Sequence, residues 1–552
     1  MWSDSEVLEV LRGTVPYYLL LALPIMIILS PMPVDAAADF TVYRLQQYDL
    51  HSVAHGSRSS LVNVEARTLD ANSLARKCVL ARLADLTPSH YHRVVSQGAV
   101  ALLVLIPSNL TALSPDHRQM MRDIETTMLE TETQMAVYLA YETEEISEIY
   151  ESVRTASNTD SASSAAAALV SSLSSDGYQM VISGSQSKAI HDMAIANVQG
   201  KLSGNGVEEQ LPTVVVVAHY DTFGAAAELS GGGDSNGSGV VMLLELARIF
   251  SRLYNSPRTH PRLNMLFLLS GGGYINYQGS KRFLEDHLDA SDSPLLSETR
   301  FVLCLDTLAN GHTLRLHVSK KPKEGSAGHA FYQALETVGA ELGIGVDMVH
   351  RKINLQDDTQ AWEHEKFSMR RLPAFTLSRL ENPKSGERGS ILDTVDSMDV
   401  STLTKHTNAV ATAMLTFIYN TSVHDILSDG LKVSEDSVSS WLSLMASQPR
   451  SPQLLAGKSN PLVKTLESTF KRFMSEASVS WVKADKRDPE WVFYDVTTAS
   501  MAAYAVKPAA FDFLLTIAII SYLSVIYVFL QYFPKLYTAM VRAVSPQKNK
   551  VQ

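Results

Sequence analysis

Residues 211–239 read LPTVVVVAHYDTFGAAAELSGGGDSNGSG, and Val240–Leu253 follow as VVMLLELARIFSRL. From Leu211 to His219 the chain is apolar with a polar end, the pattern of a strand buried on both faces. Gly231–Gly239 has the composition of a tight turn. Val240–Leu253 has the periodicity of an amphipathic helix. Strand, glycine turn and helix in this order open an α/β unit.

The alternation continues downstream. Leu263–Leu269, Phe301–Asp306, Leu314–Ser319 and Ala374–Leu377 read as strands, and Lys281–His287 and Ala327–Leu342 as helical. The expected fold class is α/β: a mostly parallel sheet with helices on both faces, over residues 178–424. In such sheets ligands sit at the carboxyl ends of the strands. Upstream, residues 37–154 read as a smaller α/β unit, with strands at Lys77–Leu83 and Ala99–Ile106 and a helix at Pro88–Ser96. Residues 155–177 are rich in Ser and Ala and read as a linker. Residues 425–512, with WLSLM and VKTLESTFKRFM, are expected to be a helical, membrane-proximal region.

The 552 residues are 45% hydrophobic and 19% charged, too apolar for a disordered chain. The net charge of −11 shows no basic excess of the kind a nucleic-acid binder carries. Two cysteines exclude a disulfide-dense scaffold and a Cys-rich zinc module. Cys78 and Cys304 lie in expected strands of different units and read as buried free thiols.

Two apolar runs raise the mean hydropathy to +0.00. Tyr17–Leu29, followed by the small residues Ala36 and Ala38, has the form of a signal peptide over residues 1–36, although Asp4, Glu6 and Glu9 outnumber Arg12 ahead of it. Phe513–Phe533 carries no charge and is long enough to span a bilayer as a helix. The tail 534–552 holds Lys535, Arg542, Lys548 and Lys550 without an acidic residue, which places it in the cytosol and the body in the lumen. Lys548 and Lys550 also have the spacing of a retrieval signal to the endoplasmic reticulum. The sequons at Asn109, Asn236 and Asn420 are glycosylation candidates in a lumenal body.

Three strand ends or turns carry groups suited to zinc: His219 with Asp221, Asp234 in the glycine turn, and Asp306. A hydrolytic zinc takes neutral imidazole and carboxylates at about 2.0–2.2 Å, and Asp221 can orient the imidazole from behind. Asp357, Asp358, Glu363, His364 and Glu365 form a second acidic cluster, read as an exposed charged helix face. Ser270–Gly273 lacks the Lys and Ser/Thr of a phosphate loop.

His219-Tyr220-Asp221, Asp234-Ser235-Asn236-Gly237-Ser238-Gly239, Asp306, and His364 ahead of Phe367 and Pro373 resemble the motifs of the two-zinc aminopeptidase superfamily. Gly279-Ser280 sets the register of a further motif. Where that superfamily has a Glu-Glu pair, this chain has Gly273 and Tyr274. The resemblance implies that the first Glu would be the general base, a role typically worth about 10²–10⁴-fold in rate. The second would be a zinc ligand. Gly and Tyr serve neither purpose. What the pattern leaves is a degenerate site, or at most a single metal on His219, Asp234 and Asp306 with His364 nearby; no zinc and no other cofactor is expected.

DFTVYRLQQYDL (39–50), NVEARTL (63–69), NYQGSKRFLED (276–286), RRLPAFTLS (370–378) and VKADKRDPEWVFYD (482–495) resemble the nicalin family, a nicastrin-like branch of that superfamily. This resemblance implies a single-pass type I protein of the endoplasmic reticulum membrane without peptidase activity. It implies as partners the Nodal modulator protein, a small multipass membrane protein and, through the Sec translocon, the ribosome-associated insertion machinery for multipass proteins, with a link to Nodal signalling. An active single-zinc lumenal aminopeptidase, and a lumenal receptor binding peptides in the old substrate cleft, stay open beside it.

Overall fold

The structure, a computed structural model, describes residues 36–159, 177–207, 211–289, 296, 298–420, 430–506 and 509–544. The expected signal peptide, most of the Ser/Ala-rich linker and the retrieval signal lie outside the described residues.

The N-terminal part supplies β1 (Ala38–Arg44), β2 (Gln47–Leu50), β3 (Val53–Ser57), β4 (Val62–Thr68), β5 (Cys78–Arg82), β6 (Ala101–Ile106), β7 (Glu132–Thr133), β8 (Ala136–Tyr141) and β9 (Gly177–Ile182). Its helices are α1 (Pro88–Ser96), α2 (Pro115–Glu130) and α3 (Glu144–Thr159). Helix α2 begins where Ser114 Oγ accepts the His117 N–H at 3.3 Å and Pro115 fills the first turn. Residues of β5 alternate between two cores: Val79 and Ala81 pack with α1 and α2, Cys78 and Leu80 with α3. Both cysteines are buried free thiols.

The larger sheet holds β10 (Ala194–Leu202), β11 (Thr213–His219), β12 (Asn264–Ser270), β13 (Thr299–Leu305), β14 (Thr313–Val318), β15 (Gly345–His350), β16 (Ala374–Ser378) and β17 (Glu476–Lys483), in the order β15-β14-β16-β13-β11-β12-β10-β17. The helices that follow in chain order are α4 (Gly239–Tyr254), α5 (Gln278–Leu284), α6 (Ala327–Leu342), α7 (His364–Met369), α8 (Val400–Tyr419), α9 (Glu435–Ala446), α10 (Pro452–Leu455) and α11 (Pro461–Phe473). Helices α4, α6, α8, α9 and α11 cover one face, on Val214 and Val216; α5 and α7 cover the other, on Val215 and Val217. This alternation along a wholly apolar strand is why β11 shows no polar/apolar periodicity.

The larger sheet is parallel in most of its pairings and mixed at its edges: β11 pairs in parallel with β12 and β13, β13 with β16 and β14 with β15, but β14 runs antiparallel to β16, and β10 antiparallel to β12 and β17. The 306–312 connection is too short for the crossover that a parallel return requires, so β14 turns back. One expectation is corrected: 425–512 is not helical throughout. After α11 come β17, β18 (Trp491–Phe493) and β19 (Thr498–Val506). β17 closes one edge of the larger sheet, β18 pairs with β2, and β19 lies between β1 and β9 in the N-terminal sheet. Strand β9, expected to open the second unit, therefore belongs to the first sheet.

From β19 the chain passes to α12 (Ala509–Val544). Its segment Thr516–Phe533, 18 residues of mean hydropathy 1.8, is long and apolar enough to cross a membrane. The two sheet units share core residues: Ala225, Ala226, Ile391 and Leu392 of the larger unit pack into the N-terminal core. At that seam the buried Glu125 of α2 accepts the Ile391 N–H at 3.0 Å and the Ala225 N–H at 3.3 Å, and bonds to Ser390 Oγ.

Candidate functional site

His219 ends β11 and Asp306 follows β13, its parallel neighbour, so the register brings both to one edge of the sheet. The turn 231–239 lies beside them. Asn236 donates to Leu305 O at 2.7 Å and to His219 O at 3.1 Å, pinning the turn to both strand ends. Asn236 is wholly buried, so its sequon is corrected: the amide is part of the core and out of reach of a glycosyl donor. Asn109 and Asn420 are exposed.

Each carboxylate expected at the zinc site is held by something else. Asp221 accepts the Gly273 N–H at 2.7 Å and the Tyr274 N–H at 3.3 Å, and so shapes the turn after β12. Burial raises its pKa, against the opposing pull of His219 and those N–H groups. Asp234 accepts from Ala309 N at 2.7 Å and Ser238 Oγ at 2.8 Å, and pairs with Arg379 Nε at 2.7 Å. Asp306 accepts from Thr307 Oγ1 at 2.6 Å and pairs with Arg388 Nη2 at 2.6 Å. Burial would raise the Asp306 pKa, but Arg388 and His219 outweigh it and hold the carboxyl below its ordinary value.

His364 is not brought to the cluster in a ligating state. Its Nδ1 meets Thr376 Oγ1 at 2.9 Å and its Nε2 meets Ser319 Oγ at 3.0 Å. Burial, with His317 nearby, pushes its pKa down to about 3.

The residue that sequence reasoning missed is Glu363. The expected exposed helix face is corrected here, since Glu363, His364 and Glu365 are all buried. Glu363 Oε1 accepts from Ser270 Oγ and Ser280 Oγ, each at 2.6 Å, and Oε2 lies 3.5 Å from His219 Nδ1. Burial lowers the His219 pKa, yet Glu363, Asp306 and Asp221 together hold it above its ordinary value. The one sequence signal for Glu363 was its place directly before His364. Arg379 and Arg388 carried no signal.

Gly273 and Tyr274 occupy the remaining space. A Cβ at Gly273 would lie 2.4 Å from His219 Cγ and Cδ2, closer than any side chain tolerates. Tyr274 bonds to Ser235 Oγ, stacks on Phe223 with centroids 5.9 Å apart, and meets the His219 ring edge-on at 5.6 Å. Tyr277 covers that ring from another side at 5.9 Å. Arg388 lies over Trp362, 4.6 Å from its centroid, and donates to Tyr277 Oη at 3.0 Å.

These residues do not fit a zinc pair. His219 Nε2 has no hydrogen-bond partner among the described residues, but Asp234 and Asp306 are each neutralised by a guanidinium. Among the described residues no group of three or more His, Cys, Asp or Glu side chains is arranged to hold a metal ion.

Comparison with known proteins places the chain among peptidase-like relatives. The model of peptidase family M28 matches residues 197–414. The BOS complex subunit NCLN of Mus musculus is 46% identical over 99% of both chains. The nicalin of Caenorhabditis elegans is 28% identical over 95% of this chain and 96% of its own. Among solved structures, the gamma-secretase component nicastrin superposes with a TM-score of 0.57 at 10% identity, covering 84% of this chain and 99% of nicastrin; that likeness is one of fold.

Proposed function

Because the chain belongs to the nicalin family of BOS complex subunits, we propose that it is a non-catalytic, peptidase-like subunit of a membrane complex. The observation that carries the non-catalytic reading is the double neutralisation of the old acidic ligands, Asp234 by Arg379 and Asp306 by Arg388. A carboxylate already paired with a buried guanidinium would have to give up that pair, at a desolvation cost, before it could take a metal. Gly273 and Tyr274 supply neither a general base nor a ligand, so the site binds no zinc and activates no water.

The finer reading follows from the family. The body is lumenal, the helix at Thr516–Phe533 anchors it as a single-pass type I protein in the endoplasmic reticulum membrane, and the basic tail is cytosolic. Its partners are the Nodal modulator protein and a small multipass membrane protein. The assembly joins the Sec translocon and supports biogenesis of multipass membrane proteins, and it bears on Nodal-type signalling. The absence of acidic residues after Phe533 supports the orientation. Purification of the tagged full chain in mild detergent, followed by mass spectrometry, tests this. Co-recovery of both subunits and of translocon components is expected. Recovery of the chain alone, or chelator-sensitive release of amino acids from peptide substrates, would overturn it.

A further inference from the structure

Outside the filled metal site, a cleft of about 550 Å³ opens between the two units. One side is the β2–β3 hairpin and the end of α2; the other is formed by residues 356–359 and 384–389. Tyr274 and Arg388 form its floor, separating it from His219. We propose that this cleft binds an extended polypeptide segment carrying a Lys or Arg next to an apolar side chain, a function that goes beyond the scaffold reading and does not depend on it.

Three observations fix the class of ligand. First, the wall is aromatic: Tyr48 meets Phe223 edge-on at 5.1 Å, and Phe223 stacks on Tyr274. An exposed apolar side chain, Val53 at 50% exposure, lines the cleft. Such a surface takes an apolar side chain.

Second, three of the cleft's acids are left without an ion pair. Glu130, Asp357 and Asp358 line it without a salt-bridge partner among the described residues. Of the cations there, Arg388 is committed to Asp306 and Arg122 lies 3.9 Å from Glu387, which leaves Lys384. A cationic side chain on the ligand complements this rim.

Third, β3 offers a backbone edge. It pairs with β2 along its length, but on the other side only Gly56 and Ser57 pair with β7. Val53 and His55, which line the cleft, belong to the unpaired stretch. An open strand edge beside side-chain pockets is how proteins add an extended peptide as a further strand.

The test uses the full chain in detergent and fluorescein-labelled octapeptides, blocked at both ends, with a Lys-Phe, Asp-Phe or Lys-Ser core in a Gly-Ser background. Fluorescence anisotropy should show the Lys-Phe peptide binding at least about tenfold more tightly than either control. D357K/D358K should reverse the preference between Lys-Phe and Asp-Phe. Thr126→Trp, which fills the cleft from an exposed position on α2, should weaken all three. Equal affinity for the three peptides, no binding by any, or a preference unchanged in D357K/D358K would overturn the proposal. Each of those results leaves the co-purification result for the scaffold reading untouched.

Discussion

Arg388 Nη2 lies 2.6 Å from Asp306 Oδ2, and the guanidinium is sandwiched between that carboxylate and the Trp362 ring. Asp306 is 1% exposed, so its carboxylate is shielded from water and from screening by salt. The positive charge beside this carboxylate is part of the polypeptide.

Arg388→Met should therefore leave a buried, uncompensated carboxylate. The expected loss is about 3–5 kcal/mol of stability. Adding Asp306→Asn should restore more than half of it, because the charge that needed a partner is gone. Chemical denaturation of the two variants measures this. Equal instability of the single and double variants would show that the ion pair is incidental.

Gly273→Ala should destabilise the fold by about 1–3 kcal/mol, since the added Cβ meets the His219 ring. Restoring the acids as G273E/Y274E should yield no stoichiometric zinc, as Arg379 and Arg388 still hold Asp234 and Asp306. Metal analysis of the purified variant reads the outcome. A chelator should leave the melting temperature of the unaltered chain where it was.

Glu125 links the two units from a fully buried position, and burial raises its pKa from 4.5 to about 7. The folded state therefore holds a proton between those values that the unfolded chain has lost. Stability from this group is greatest below pH 4.5 and falls as pH rises to about 7, by roughly 3 kcal/mol. Glu125→Gln should flatten that decline. Denaturation midpoints of both forms at pH 5, 6, 7 and 8 test it, and parallel curves would count against the seam as the origin.

Glycan occupancy should divide the three sequons. Asn109→Gln and Asn420→Gln should each remove one glycosidase-sensitive increment of mass from protein made in the secretory pathway. Asn236→Gln should remove none. Instead it should destabilise the chain by about 1–3 kcal/mol, through the carbonyls of His219 and Leu305 left without their donor. A glycan on Asn236 would contradict its burial.

Much of the fold was legible in the chain itself. The apolar run at Leu211–His219, the turn rich in glycine, the helix after it and the span near the C-terminus follow from local periodicity and composition. These are properties of contiguous residues, where side-chain spacing and backbone preference act over a few positions. The strands at 476–506 were not legible, because their partners lie far off in sequence: β17 pairs with β10 and β19 with β1.

The site was half legible. His219, Asp221, Asp234 and Asp306 were identified, and the register of β11 on β13 does place two of them at one edge. What neutralises them was decided by the tertiary structure alone. Arg379 reaches Asp234 across 145 residues, Arg388 reaches Asp306 across 82, and Glu363 reaches Ser270 across 93. A charged side chain in a sequence is by default a solvated one. Only packing removes the water, and once it is gone each buried charge needs the opposite charge or a donor that the fold delivers. The sequence determined that Gly273 and Tyr274 follow β12; the fold determined that Arg379 and Arg388 balance the charge of Asp234 and Asp306.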